Sequence, residues 1–212
     1  MALLLKLLTI FMLQVGVSLA GFDFKFDVHF KRVGEDILLN CPVDESSDQC
    51  SNTIWAYIRP SNDGEIKRMI FGGNVYNSSV RDSRLSLSSN CSLLITNITD
   101  EDAGLYICSH RMPMLLNTLS ITSSPPDVNG QVDLTCSLKN YNQPGHCHPY
   151  PIWMDETGSQ LSGKNPEFEV KKQTNCDSVL TVKHQSGNNK RFTCKFVEDE
   201  EVKIEADYVL TE

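Results

Sequence analysis

The sequence predicts an all-β protein of two tandem β-sandwiches closed by disulfides, and three observations lead to this prediction. A pattern of four cysteines and one tryptophan occurs twice: Cys41, Cys50, Trp55, Cys91 and Cys108, then Cys136, Cys147, Trp153, Cys176 and Cys194. Short runs of alternating apolar and polar residues recur along the chain, and no window of similar length has a helical stripe. The 192 residues 21–212 suit two domains of about 100 residues each.

Residues 1–20 are predicted to be a signal peptide. Lys6 stands near the start of a short apolar run, and Ser18-Leu19-Ala20 supplies the small residues of a cleavage site before Gly21. A membrane anchor is the alternative, but the run is short for a bilayer span. We therefore expect no membrane insertion of the mature chain, which would be extracellular, either secreted or the ectodomain of a cell-surface protein.

Charge and cysteine content narrow the function further. The formal net charge is −8 and no basic run is present, so we expect no binding of nucleic acid or anionic lipid. In an oxidising compartment the eight cysteines are expected to form disulfides rather than to bind metals or act as nucleophiles.

Alternation of apolar and polar residues places the strands of the first unit. Every second residue from Phe22 to Phe30 is apolar, which predicts a half-buried strand. Further strands are predicted at 37–41, 54–59, 84–87, 91–98 and 105–110. In the second unit, strands are predicted at 132–136, 152–154, 168–170, 178–182, 191–197 and 202–210.

The segment Ser123 to Asp127 interrupts this pattern. Its two adjacent prolines cannot donate ladder hydrogen bonds and hold the chain extended. We therefore predict a stiff linker at 123–127, between a first domain at 21–122 and a second at 128–212.

One motif in the first unit resembles a known family. The spacing Leu93-x-Ile95-x-x-Ile98-x-x-x-Asp102-x-Gly104-x-Tyr106-x-Cys108 resembles the signature of strands E and F in immunoglobulin variable-type domains. With Cys41 and Trp55 upstream, the resemblance covers Gly21 to about Thr122. It implies an immunoglobulin-like sandwich for this unit.

The resemblance assigns a physical role to each residue. Cys41 and Cys108 would join the two sheets through the core, with Trp55 packed against the bridge. Tyr106 would form the tyrosine corner, in which its hydroxyl bonds back to the chain. Asp102 would pair with Arg84.

The second unit departs from the variable-type pattern. Cys136, Trp153 and Cys194 are present, but Phe192 stands where the corner tyrosine would be. The shorter span from tryptophan to the last cysteine implies a constant-like domain without the two extra strands. The remaining cysteines occupy matching loops at one end of each sandwich, which predicts the bridges Cys50–Cys91 and Cys147–Cys176.

The sequence offers no support for an enzyme or a cofactor. The five histidines are scattered, and no serine or cysteine has a nucleophile-elbow context. His146-Cys147-His148 is metal-like in spacing, but zinc needs the thiolate and Cys147 has a disulfide partner, so a polar loop is favoured.

Glycosylation sequons point to a free sheet in the first unit. Sequons occur at Asn77, Asn90 and Asn97, although the middle residue of the second, Cys91, is expected in a bridge. We expect the sequons on the side of strands C″, D and E, which leaves the sheet of strands G, F and C bare.

That bare sheet is the predicted partner-binding site. Trp55 and Cys108 are expected to point into the core. Because side chains alternate along a strand, their neighbours should point outward: Ala56, Ile58, Ile107 and Ser109. Met112 and Met114, at a loop tip, would extend this apolar surface, with Arg111 giving orientation; one of Leu115 and Leu116 is expected in the core.

The resulting functional prediction is a recognition protein of the immunoglobulin superfamily. It is similar to the two-domain ectodomains of leukocyte receptors and adhesion molecules, which implies roles in immune response and cell adhesion. Its partner would be another cell-surface protein or a second copy of this chain. The alternative is a secreted soluble binder or decoy without a membrane anchor.

Overall fold

The computed structural model describes residues 26–41, 50–59, 66–75, 82–109, 113–140, 149–172, 176–183 and 189–211. Within these ranges the regular structure is β-strand, with short 3₁₀ turns. The first strands are β1 (Asp27–Arg32), β2 (Ile37–Leu39), β3 (Ile54–Ile58), β4 (Ile66–Phe71), β5 (Asn74–Val75), β6 (Leu85–Leu87), β7 (Leu93–Ile95), β8 (Gly104–Cys108) and β9 (Met114–Ser123). The others are β10 (Gln131–Lys139), β11 (Tyr150–Met154), β12 (Gln160–Leu161), β13 (Phe168–Lys172), β14 (Asp177–Lys183), β15 (Lys190–Glu198) and β16 (Glu201–Leu210).

The first unit is a sandwich of two sheets. One sheet has the order β2-β7-β6, and the other runs β9-β8-β3-β4-β5 with β1 paired in parallel to β9. Alternate residues of both sheets face each other, as in β3, where Trp55 and Tyr57 are buried while Ile54, Ala56 and Ile58 are half-buried. The all-β sandwich prediction is confirmed.

The core of the first unit is built around one disulfide and one tryptophan. Cys41 and Cys108 are bonded to each other and almost fully buried. Trp55 is also fully buried in this core, and its Nε1 donates a hydrogen bond to the Cys91 carbonyl at 3.0 Å. Because the indole nitrogen has a partner, the largest side chain of the core is buried without an unpaired donor.

The first unit also contains a tyrosine corner. The Tyr106 hydroxyl donates to the Asp102 carbonyl at 2.6 Å. The fully buried Asp102 carboxylate accepts two hydrogen bonds from Arg84, Nη1 to Oδ2 at 2.6 Å and Nη2 to Oδ1 at 3.0 Å. It also accepts the Thr99 backbone N–H at 2.8 Å. The corner and the ion pair are therefore present as the resemblance implies.

Gly104 is required where β8 passes β3. A Cβ atom there would lie 2.3 Å from Tyr57 Cε2 and 2.8 Å from the Ile58 carbonyl oxygen. Backbone cannot move out of the way as a flexible side chain can, so we expect Gly104→Ala to lower the free energy of unfolding by about 1–3 kcal/mol. Chemical denaturation measures this, and an unchanged midpoint would contradict it.

The second unit is also a sandwich, with sheets β9-β10-β14-β13 and β12-β11-β15-β16. Cys136 and Cys194 form its inter-sheet disulfide, next to the fully buried Trp153. The Trp153 Nε1 donates to the Ser178 hydroxyl at 3.2 Å. Phe192, which has no hydroxyl to make a corner, is buried in the core instead.

Strand β9 belongs to both units. Met114 pairs with Tyr106 in β8, and Leu116 pairs with Gly104, whereas residues 118–123 pair with β10. Met114 and Leu116 are buried in the first core, and Leu119 is buried in the second. Because the residue parity changes between 116 and 119, opposite faces of one strand fill the two cores.

The predicted linker at 123–127 has a different position in the structure. Ser123 ends β9, and the following residues form the turn that returns the chain to β10, with Asp127 N–H bonded to the Gln131 carbonyl at 2.8 Å. The Asp127 side chain also accepts the Asn129 and Gln131 N–H groups, and the Gln131 bond is the largest cause that lowers its pKa. The prolines thus lie in the loop just before this turn, and β9 connects the units.

The second bridge of the first unit is also formed. Cys50 and Cys91 are bonded, with their Cα atoms 5.5 Å apart. Cys176 is disulfide-bonded as well, while its predicted partner Cys147 lies outside the described residues.

Candidate functional site

The outer surface of the larger sheet in the first unit is the candidate site. Its side chains point away from the core because they alternate with the buried ones along each strand. We call it the outward face and define it by the apolar residues Val28, Ile54, Ala56, Ile58, Phe71, Leu105, Ile107 and Leu115.

Direct cross-strand pairs make the outward face continuous. Ile58 in β3 pairs with Leu105 in β8, Leu105 pairs with Leu115 in β9, and Leu115 pairs with Val28 in β1. One row of four apolar side chains therefore crosses four neighbouring strands. Paired residues on one face lie about 5 Å apart, so the row forms one surface.

Two further pairs extend the outward face toward β4. Ala56 pairs with Ile107, and Ile54 pairs with Phe71. The most exposed members are at the two ends, Phe71 with 50% of its surface accessible and Val28 with 48%. Phe26, just before β1, is 39% exposed. Large apolar side chains are thus accessible at both edges of this sheet.

The outward face carries no formal charge on its defining residues. Next to Ile58, Arg59 pairs with Glu101, and the closest atoms of these exposed side chains are 3.9 Å apart. In β1, Asp27 and His29 pair with Met114 and Leu116 and therefore lie on the opposite side of the sheet. In β4, Arg68 pairs with Ala56, whereas the row from Ile58 to Val28 contains no charged residue.

Ile58 and Ile107 lie on the outward face, as parity indicates, together with Ala56, and both isoleucines are half-buried. Ser109 follows β8 and its hydroxyl accepts the Ile54 backbone N–H at 3.3 Å. Their role in binding a partner stays a prediction.

The expectation for Met114 is wrong. Met114 was expected at an exposed loop tip, but it begins β9, is only 3% exposed and packs in the first core. Its pairing with Tyr106 fixes this orientation, because both residues then point inward. Leu116 is buried and Leu115 is half-buried on the outward face, so one of the two is in the core as expected. Arg111 and Met112 lie outside the described residues.

The apolar side of β1 faces outward rather than toward the core. Alternation correctly separates Val28 from Asp27 and His29, but it does not say which side is buried. The parallel pairing of Val28 with Leu115 places Val28 on the outward face. Sequence reasoning missed Val28, Leu105 and Leu115 as site residues, although counting parity back from a buried Leu116 would have found Leu115.

The described sequons lie near the other sheet. Asn97 follows β7, is exposed, and donates its backbone N–H to Asp36 at 2.8 Å. Asn90 is exposed beside the bonded Cys91, and its Oδ1 accepts bonds from Ser88 and Ser92. Both are consistent with glycans on the side away from the outward face, which stays a prediction. Asn77 lies outside the described residues.

The described ranges contain neither a candidate metal site nor a helix that could span a membrane. No group of three or more His, Cys, Asp and Glu side chains there is placed to hold a metal ion. No helix in the same part of the chain has the length and apolar character needed to cross a membrane. His29 is the one described histidine, and His110, His146, His148 and His184 lie outside the described residues.

Comparison with known proteins identifies the first unit. The family model of the immunoglobulin V-set domain matches residues 30–122, from the second half of β1 to the penultimate residue of β9. No curated protein matches the chain significantly. The match agrees with the inter-sheet disulfide, the buried tryptophan and the tyrosine corner. Residues 30–122 therefore form an immunoglobulin domain of the V-set family.

Proposed function

We propose that this chain is an extracellular recognition protein that binds a cell-surface protein through the outward face of its V-set domain. In this proposal it is the ectodomain of an immune receptor or adhesion molecule, with glycans on the opposite sheet. V-set domains are non-enzymatic and commonly mediate binding between proteins. Three disulfide pairs fit an extracellular location.

The uninterrupted apolar row across four strands carries the proposal. Isolated exposed apolar residues are normal on a soluble protein, whereas a contiguous apolar patch marks an interaction surface. Ile58, Leu105, Leu115 and Val28 are joined by direct pairs and form such a patch, in which Val28 is exposed, Ile58 and Leu115 are half-buried and Leu105 is 7% exposed. Next to Ile58, at one end of this row, Arg59 and Glu101 are exposed and charged, as in an interface with an apolar centre and a polar rim.

Val28→Asp is expected to abolish partner binding. The substitution places a charge in the apolar row, and burying an unpaired carboxylate against a partner costs several kcal/mol. Val28 is half-exposed and outside the core, so the Tm should change little. Binding of the glycosylated 21–212 protein to a panel of recombinant cell-surface ectodomains, itself included, measures the effect by surface plasmon resonance.

Leu38→Asp is the matched control. Leu38 lies in β2 of the opposite sheet and is 45% exposed, so the same charge enters a similar environment in the same domain. We expect it to bind like wild type. Equal losses for both variants, or none for Val28→Asp, would contradict the assignment of the outward face.

A further inference from the structure

We propose that the partner carries basic residues beside its apolar contact, and that these meet an acidic hairpin of the second unit. The inference rests on the proposed function of the outward face and adds a second contact region to it. We call residues Glu198-Asp199-Glu200-Glu201, at the tip between β15 and β16, the acidic hairpin.

The acidic hairpin has a defined backbone. Glu198 pairs with Glu201 across the end of the two strands, and Asp199 and Glu200 form the two-residue connection. Both connecting residues have positive φ angles, 50° and 65°, as a tight hairpin turn requires. Asp199 and Glu200 are exposed, so the turn presents their carboxylates to solvent.

Contacts between β16 and the first unit place this hairpin beside the outward face. At one end of β16, the Tyr208 hydroxyl donates to Ser123 at 2.6 Å. Further toward the hairpin, Arg32 Nε donates to the Glu205 carbonyl at 2.6 Å, and Arg32 itself pairs with Leu119 in β9. Followed from Tyr208 to Glu205, β16 therefore runs from the second unit toward the first. The acidic hairpin lies further along in the same direction.

An open groove lies between β1 and β16, next to the acidic hairpin. It is lined by Phe30, Lys31, Arg32 and Glu35 on one side and by 202–205 on the other. Phe30 is two residues from Val28 along β1, so it continues the apolar side of the strand toward the groove. A protein seated on the outward face would therefore reach the acidic hairpin at the edge nearest the second unit.

The acidic hairpin has an excess of negative charge. Lys203 pairs with Glu201 at 2.5 Å, and this bond, with the nearby Glu198 and Asp199 carboxylates, raises the pKa of Lys203. The same bond lowers the pKa of Glu201. No ion pair is formed by Glu198, Asp199 or Glu200 among the described residues. One cation thus accompanies four carboxylates.

This charge selects the class of partner. The outward face is uncharged at its defining residues, and Lys31 and Arg32 in the groove share Glu35 as an ion-pair partner. The four carboxylates of the acidic hairpin are therefore the main negative charge at that edge. A second copy of the chain carries the same net charge of −8 and the same hairpin, which opposes self-association. A protein with an apolar patch bordered by Lys or Arg complements both features.

The test uses the same ectodomain panel and the variant Glu198→Lys/Glu200→Lys, which leaves Asp199 in the turn. We expect panel members that bind to be basic at the contact, and their affinity to fall between about 0.05 M and about 0.5 M salt. The variant should lose at least about tenfold in affinity, mainly through slower association.

Glu156→Lys/Glu167→Lys is the matched control, because both residues are exposed at the opposite end of the second unit, near Lys190. It should bind like wild type, and thermal melting should show all variants folded. Wild-type binding by the hairpin variant, or salt-independent self-association of the chain, would overturn the inference. If Val28→Asp loses binding but the hairpin variant does not, the inference fails and the proposed function stands. If Val28→Asp binds as well as wild type, or if no panel member binds wild type, both fail.

Discussion

Arg84→Ala is expected to lower the free energy of unfolding by about 3–5 kcal/mol, which is the cost of leaving a buried charge without its partner. The Asp102 carboxylate is fully buried and accepts two hydrogen bonds from the Arg84 guanidinium. Arg84 also donates to the carbonyls of Thr96 and Asn97, so its loss removes bonds to the backbone before the corner as well. Urea denaturation measures the change.

Arg59→Ala is the control for Arg84→Ala. Arg59 faces Glu101, the residue next to Asp102, but the two side chains are exposed and their closest atoms are 3.9 Å apart. An exposed pair of this kind contributes about 0–1 kcal/mol. Arg84→Lys should lie between the two, because it keeps a charge but cannot bind the carboxylate with two donors. Similar losses for Arg84→Ala and Arg59→Ala would contradict the importance assigned to burial.

Cys41→Ala/Cys108→Ala is expected to cost about 4 kcal/mol, because the bridge closes a long loop in the unfolded chain. The two cysteines are 67 residues apart in sequence, and both are buried in the core with Trp55. Replacing them removes the cross-link and leaves space in that core. Denaturation of the folded variant, with the other bridges intact by mass mapping, measures the loss.

Cys50→Ala/Cys91→Ala provides the comparison. Its bridge spans 41 residues and lies at one end of the sandwich rather than through its centre. The entropy of loop closure is nearly the same for the two bridges, so any larger loss for Cys41→Ala/Cys108→Ala reports packing around Trp55. A loss under about 1 kcal/mol for the central bridge would contradict the expected effect.

The first unit could be predicted closely because its signature residues contact one another. Cys41, Trp55, Asp102, Tyr106 and Cys108 meet in one core and one corner, so their spacing reflects the geometry of a single sandwich. Parity from Trp55 and Cys108 also placed Ile58 and Ile107 correctly on the outer surface of the sheet.

Features that depend on distant pairing could not be read in this way. The prolines after Ser123 fit both a stiff linker between domains and a loop between paired strands, and only the pairing of β9 with β10 distinguishes the two. The orientation of Met114 depends on its register with β8. The exposed side of β1 depends on its parallel pairing with β9. The sequence shows which residues alternate along a strand, but the register between strands decides which of its two faces is buried.

The continuity of β9 has a mechanical consequence. Thr118 and Leu119 pair with β1 on one edge of the strand and with β10 on the other, so hydrogen-bonded ladders of the two units overlap without a gap. Bending at the junction would break bonds in one ladder, and ten residues of strand span about 33 Å. The two units therefore have no flexible hinge at this junction. A pulling force along β9 would load many ladder hydrogen bonds in shear at the same time, rather than breaking them one after another.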